Sequence, residues 1–367
     1  MMLDLNLNYT QLGVVTGVSS TVSGFLQMVW SVLNRYSSRR VLLGTGNILI
    51  SLGCFLTGAA TRFTGLLAAS VTSGFGQAAQ HPIGTSIITR KFSREKVSGA
   101  LSIHYGLGYA GNMISPIILS SIAVVFGWRF ATYVLGIVPL VAGLILLYYL
   151  RGEESASRLI LKKEASHVWK DVGSAIRMRG VLLIIAVQAF AGSGTGQDVV
   201  TTYAPLFLKN QLGVGIVETS VIYSAAVVGG IVGTILFGHL ADRFGSLAMA
   251  STILGSGFIL ILSLTLHTSF NMLIIPHLFI IGIVSFSFPS LLQAHLASIS
   301  TPEQRDMLLG LYFTISFGIS ALWTTLTGYL IDVYGSFNSA WVLRAGLGAI
   351  AFLISLVALR RNSSTPS

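Results

Sequence analysis

The sequence is poor in charge: only 9% of its 367 residues are Asp, Glu, Lys or Arg, while 53% are hydrophobic, so most of the chain cannot face water. Long polar stretches are scarce too. A soluble chain of this length is expected to divide into about two domains joined by polar linkers, whereas here apolar runs of about 20 residues follow one another almost without pause. The single cysteine, Cys54, lies inside one such run; this excludes an internal disulfide or a cysteine metal site and suits a small core residue. The start, MMLDLNLNYTQLG, is not a charged region followed by an apolar core, so no secretory signal is expected. Missing as well are an ATP-binding loop, an HExxH pattern and a close carboxylate pair inside an apolar run. These absences argue against a primary pump and against a membrane-embedded enzyme. No cofactor and no metal ion are expected.

What is present points to a bilayer as solvent. Backbone groups in hydrocarbon must be satisfied internally, which leaves helices or a closed barrel, and continuous rather than alternating apolar runs choose helices. Eleven spans are predicted near 11–33, 41–61, 64–88, 98–123, 129–150, 181–206, 217–237, 247–266, 270–297, 307–333 and 337–359. One long polar connection, 151–180, separates a first bundle (1–150) from a second (181–367). The net charge of +10 would suit nucleic acid, but its placement does not: eighteen of the 22 Lys and Arg fall in alternate loops. Placing the 151–180 connection in the cytoplasm puts all eighteen inside, with the C-terminus, in a multi-pass protein of the cytoplasmic membrane. Lipid is then the bulk partner, nucleic acid is not, and a monomer is expected.

The chain also resembles itself. Asn34-Arg35-Tyr36 and Asp242-Arg243-Phe244 lie 208 residues apart, each after an apolar span; Glu95 and Glu303, and Gly127 and Gly335, repeat that offset. His81-Pro82 and Phe288-Pro289 come at 207. A shared offset at several equivalent places indicates two parallel repeats. Residue 1 then corresponds to Lys209, so the span at 181–206 has no partner in the first repeat, and a five-plus-six arrangement with the first helix absent is expected.

The segment GHLADRFG at 238–245 is similar to the signature loop of the major facilitator superfamily, and the resemblance runs over essentially the whole chain. It implies an all-α membrane fold of two parallel six-helix repeats. It also implies a conformational lock at this loop, Gly245 included, with Gly238 expected to permit close helix approach, Asp242 to cap a helix end, and Arg243 to face anionic lipid or a carboxylate across the interface of the halves. The first-repeat copy, WSVLNRYSSRR, keeps Arg35 but has Trp30 and Asn34 where the family has glycine and aspartate. FGQAAQHPIGTSIITRKF at 75–92, GYAGNMISP at 108–116 and FGWR at 126–129 resemble later helices of such transporters, and the His-Pro pair resembles fosmidomycin-resistance-type exporters. The family's antiporter glycine-proline motif is not matched.

The resemblance implies that the spans at 64–88, 181–206 and 270–297 line a central cavity. A charge at bilayer depth costs roughly 2.5–3.5 kcal/mol, so an acid within a span needs a reason. Asp198 is such an acid. It follows Gly192, Gly194 and Gly196, where the helix is expected to unwind, with Gln188, Gln197 and Tyr203 as hydrogen-bonding neighbours; it is a candidate for binding a proton or a substrate cation. His81 precedes a proline that frees a backbone carbonyl, and with Gln77 and Gln80 it forms a candidate polar patch. His104, Asn112 and Gln293 are further candidates, and Phe286 and Phe288 beside Pro289 are a candidate aromatic wall. His277 and His295 suit span ends, and Arg344 is expected to snorkel outward or pair locally. The reading is secondary transport of a small organic solute by alternating access, with protons as the candidate coupling ion; the alternative is a non-transporting sensor or an inactive fragment.

Overall fold

The computed structural model describes residues 1–33, 37–80, 83–84, 87, 97–149, 180–300 and 302–363. Every regular element among them is helical. In chain order these are α1 (Tyr9–Leu33), α2 (Arg39–Ala59), α3 (Phe63–Gln77), α4 (Val97–Phe126), α5 (Trp128–Tyr149), α6 (Val181–Gly194), α7 (Ala204–Asn210), α8 (Ile216–Phe244), α9 (Ser246–Ser263), α10 (Ile274–Ser298), α11 (Pro302–Tyr334) and α12 (Phe337–Ser363). A π-helical turn, Val199–Tyr203, precedes α7, and a 3-10 turn, Leu264–Leu266, follows α9. Seven of the helices are long and apolar enough to cross a membrane. On α5, the large apolar residues Phe130, Ile137, Val138, Val141, Leu144 and Ile145 are exposed, which suits lipid and not water.

The repeat read from the sequence is present in the order of elements. α1 and α8 begin at Tyr9 and Ile216, α2 and α9 at Arg39 and Ser246, α5 and α12 at Trp128 and Phe337, separations of 207 to 209 residues. Gly127 closes α4 with φ +86° and Gly335 closes α11 with φ +62°. Both sit in the left-handed region that favours glycine, which is why that residue recurs at the 208 offset.

The chain forms two compact units, residues 1–111 with 118–168, and residues 112–117 with 169–367. In the first, the segment before α1 folds back on the helix ends. Leu5 and Leu7 are buried with Ala60 and Leu66. Asp4 accepts from the Trp128 indole at 2.7 Å and from Arg129 at 3.5 Å. The indole bond, with Arg129 and the chain terminus nearby, holds the Asp4 carboxyl below its ordinary range.

In the second unit, α8 and α10 meet backbone to backbone. A β-carbon at Gly229 would lie 2.0 Å from the Phe279 carbonyl oxygen, and one at Gly282 would lie 1.8 Å from that of Ala226. The GGIVG run at 229–233 is therefore a packing face, as its small residues suggest. Behind it lies a core of Val181, Ile184, Leu254, Phe288, Leu292 and Tyr312, among others.

Candidate functional site

The span expected at 181–206 is not one helix. α6 stops at Gly194, Thr195 and Gly196 form a turn, and the chain resumes through the π turn into α7, with Pro205 in its first turn. Sequence explains the interruption. A β-carbon at Gly194 would come within 2.4 Å of the Gly348 nitrogen on α12, and one at Gly196 would collide with the Gly192 carbonyl at 1.8 Å. Only glycine fits either place, and glycine is also a poor residue for continuing a helix. Proline at 205 then lacks the N–H that a continuous helix would need.

Asp198 sits at this break, in a buried polar environment of the second unit. Its Oδ2 accepts from the Arg344 Nη2 of α12 at 2.8 Å and from the Thr324 hydroxyl of α11 at 3.1 Å. The Arg344 guanidinium lies over the Tyr203 ring, 4.7 Å from its centroid, and the Tyr203 hydroxyl donates to the Thr324 carbonyl. Arg344 is fully buried and the Asp198 side chain is 19% exposed. Arg344 lies seven residues past the start of α12, roughly 10 Å along it, so the pair stands at hydrocarbon depth if α12 begins at the membrane edge. The snorkelling expected of Arg344 does not occur: Asp198 offers a partner inside, and stacking on Tyr203 adds a second attraction.

Asp198 Oδ1 is buried and meets no hydrogen-bond partner among the described residues. A buried acceptor left idle beside one that is doubly bonded is uncommon in a folded protein.

Gln188 does not neighbour Asp198. One helical stretch earlier, its Nε2 donates to Ser316 at 2.7 Å and its Oε1 accepts from the Tyr312 hydroxyl at 2.6 Å. Gln293 approaches the same hydroxyl. This second cluster links α6, α10 and α11 through neutral groups.

The other candidates are placed as follows. Gln77 is exposed, and Gln80 lies toward Gly46 of α2. Asn112 is exposed on α4 and Gln197 is half-buried beside Asp198. Phe286 packs on Gly230, and Phe288 is fully buried in the core of the second unit, so these rings serve helix packing there. His277, in the first turn of α10, is hydrogen-bonded to His267 at 2.9 Å and to the Leu260 carbonyl at 3.0 Å, and His295 lies in the last turn of α10. His81, Pro82, Asn34, Arg35 and the side chain of His104 lie outside the described residues.

The signature loop spans the end of α8 and the start of α9. Among the described residues, nothing lies within 4 Å of a β-carbon placed on Gly238. Asp242 is exposed within the last turn of α8; Gly245, with φ +89°, makes the turn, and α9 starts without a side-chain cap among the described residues. Gly238→Ala is accordingly expected to keep the folding stability or raise it by up to about 1 kcal/mol. A loss of folded protein by size-exclusion chromatography would contradict this.

Sequence reading missed Arg344 and Thr324 as members of the Asp198 cluster, and Tyr312 and Ser316 as partners of Gln188. A signal was available for the first. Arg344 is a basic residue inside an apolar run, Asp198 an acidic one, and two such charges in hydrocarbon are expected to find each other.

The sequence profile of the Major Facilitator Superfamily matches residues 1–324. An MFS-type transporter, YfnC, of Bacillus subtilis (strain 168) is 27% identical over 354 residues, covering 95% of this chain and 85% of that protein. A probable L-galactonate transporter of Escherichia coli (strain K12) is 22% identical over 391 residues, covering 99% and 84%. Among solved structures, a bacterial homolog of the human lysosomal transporter Spinster, inward-facing and occupied, superposes with TM-score 0.75 at 17% identity, over 98% of this chain and 90% of that one.

Proposed function

The chain belongs to the major facilitator superfamily, and we propose that it is a secondary transporter in which Asp198 is the proton-binding residue and the interrupted helix at 194–203 is the moving part. The observation that carries this is the asymmetric carboxylate: one oxygen of Asp198 is held by Arg344 and Thr324, the other is buried and idle. Protonation at Oδ1 neutralises the acid and weakens its hold on Arg344. Because Asp198 lies in the break and Arg344 on α12, that change bears on how the π turn is tethered, which is the kind of local electrostatic event that biases a two-state element.

The substrate is a small organic solute bound between alternately opening halves, and no ATP-binding loop occurs in the sequence, so an ion gradient or the solute's own gradient drives it. The L-galactonate transporter among the relatives makes small organic acids the first class to test. The orientation with the C-terminus and the 151–180 connection in the cytoplasm, and a monomeric state, belong to the same reading, and His81 is a second candidate proton site.

Purified protein in proteoliposomes, given a pH gradient and a panel of labelled organic acids, tests it. Uptake that follows the gradient is expected, and Asp198→Asn is expected to lower it by about tenfold or more. Wild-type uptake by folded Asp198→Asn would remove Asp198 from the mechanism, and no flux of any solute would count against transport.

A further inference from the structure

α9 starts at the signature loop, and His267 follows the 3-10 turn at its far end, just past the apolar span Ser246–Leu266. The chain then turns into α10, with His277 in its first turn. Nε2 of His267 lies 2.9 Å from Nδ1 of His277, and the ring centroids are 5.1 Å apart, so the rings meet tip to tip and are not stacked. Nε2 of His277 lies 3.0 Å from the Leu260 carbonyl oxygen and 3.1 Å from the Ser263 hydroxyl, which itself donates to that carbonyl.

These contacts set the tautomers. A carbonyl only accepts, so Nε2 of His277 carries the hydrogen, its Nδ1 is left as an acceptor, and Nε2 of His267 is the donor. A chain of hydrogen bonds thus runs from His267 through His277 to the end of α9 and ties the corner between α9 and α10. Nδ1 of His267, on a half-buried ring, meets no partner among the described residues. A first proton from water enters there and strengthens the Nε2–H donor without disturbing the chain. A second has only Nδ1 of His277 to go to; it would break the bond and set two cations with facing nitrogens 2.9 Å apart. A metal ion fits this alignment poorly, because two zinc–nitrogen bonds of about 2.0–2.1 Å laid end to end need about 4 Å.

Little else charged acts on the pair. No Asp, Glu, Lys or Arg occurs between Arg243 and Glu303. On the elements packed around the corner, Glu218 of α8 and Asp332 of α11 are exposed, Tyr203, Tyr223 and Tyr312 are buried phenols, Arg344 is held by Asp198, and His295 lies at the other end of α10. The remaining charged positions of α8, α11 and α12 fall at the signature-loop end. Among the described residues, His267 is the one charge that acts on His277. Partial burial holds His267 below its ordinary range, so its ring is neutral at about pH 7.5.

We propose that His267 and His277 form a proton-binding latch on the α9–α10 corner, closed with no proton or one and opened when both rings are charged. The unfolded chain takes up both protons near the ordinary histidine value of about 6.5, whereas the closed pair takes up one. Below that pH the unfolded state therefore holds more protons, and the stability present above it is lost as pH falls. The latch stands apart from the Asp198 cluster and does not depend on which solute is transported.

Unfolding of the purified protein in detergent, followed from about pH 7.5 to about 5.5, tests it. The wild-type folding equilibrium constant is expected to fall by up to about tenfold per pH unit below about pH 6.5. His267→Gln or His277→Gln alone is expected to remove most of that fall, because a glutamine at either place keeps a hydrogen bond and leaves a single ring to charge. A fall that survives His267→Gln would assign the effect to the burial of His277 alone and overturn the pairing. Hydrogen exchange of the wild type over 264–277, corrected for the intrinsic rate, gives a reading that needs no variant. Protection there is expected to drop at least about tenfold more than over the packed face at 226–233; equal protection at the two pH values would overturn the latch.

Discussion

Arg344→Met is expected to destabilise the folded protein by about 3–5 kcal/mol, whereas adding Asp198→Asn to it is expected to restore most of that loss. The asymmetry follows from burial. Arg344 has no exposed side-chain surface and Asp198 little, so removing one charge leaves the other without its partner in a medium of low polarity. Removing both leaves a thioether and an amide of similar size, with the Thr324 hydroxyl still available to the amide. Asp198→Asn alone is expected to fall between the two, since it strands the arginine but keeps a hydrogen-bonding group beside it.

Unfolding midpoints of the three variants in detergent decide the matter. Equal midpoints for Arg344→Met and the wild type would show that the pair constrains nothing. The double variant has a second use: if it folds like the wild type yet carries no gradient-driven solute, the loss of transport cannot be ascribed to loss of structure.

Gly282→Val is expected to abolish or severely reduce folded protein, a loss of about 3 kcal/mol or more. Its added β-carbon would fall 1.8 Å from the Ala226 carbonyl oxygen, and that obstacle is backbone, which cannot rotate away as a side chain can. Gly229 meets the Phe279 carbonyl from the opposite helix in the same way. Relief would require α8 and α10 to separate, and with them the contacts of Gly230 and Gly233. Membrane yield and size-exclusion profile measure the outcome, with Gly238→Ala as the contrasting substitution. A monodisperse, wild-type yield of Gly282→Val would mean that the two helices are not locked at this distance.

Much of the architecture was legible because its causes are local or periodic. Apolar runs of span length mark helices, and the 208-residue offset marks the repeat. The offset proved most reliable where a backbone requirement lies behind it: Gly127 and Gly335 are repeated because each closes a helix with positive φ. The helix break at 194–196 was legible for the same reason, three glycines being spaced where a helix has little to hold it. Less was legible at the signature loop. Gly238 and Asp242 look alike in pattern to residues that pack and cap, but whether a β-carbon meets anything, or a carboxylate an N–H, depends on neighbours distant in the chain.

The candidate residues divide along the same line. Sequence by itself determined that the protein is a helical membrane protein of the major facilitator superfamily, that its second bundle carries an acid in an apolar span, and that an arginine lies in another. The family rests on the resemblance of GHLADRFG at 238–245 to its signature loop; the other statements need only composition, spacing and the cost of charge in hydrocarbon. The tertiary structure alone decided that Asp198 meets Arg344, 146 residues away, with Thr324 and Tyr203 completing the cluster, and that Gln188 instead joins Tyr312 and Ser316. The physical reason is that every position on a helix has a face, but which partner that face meets is fixed by how three helices pack, and no single helix records that.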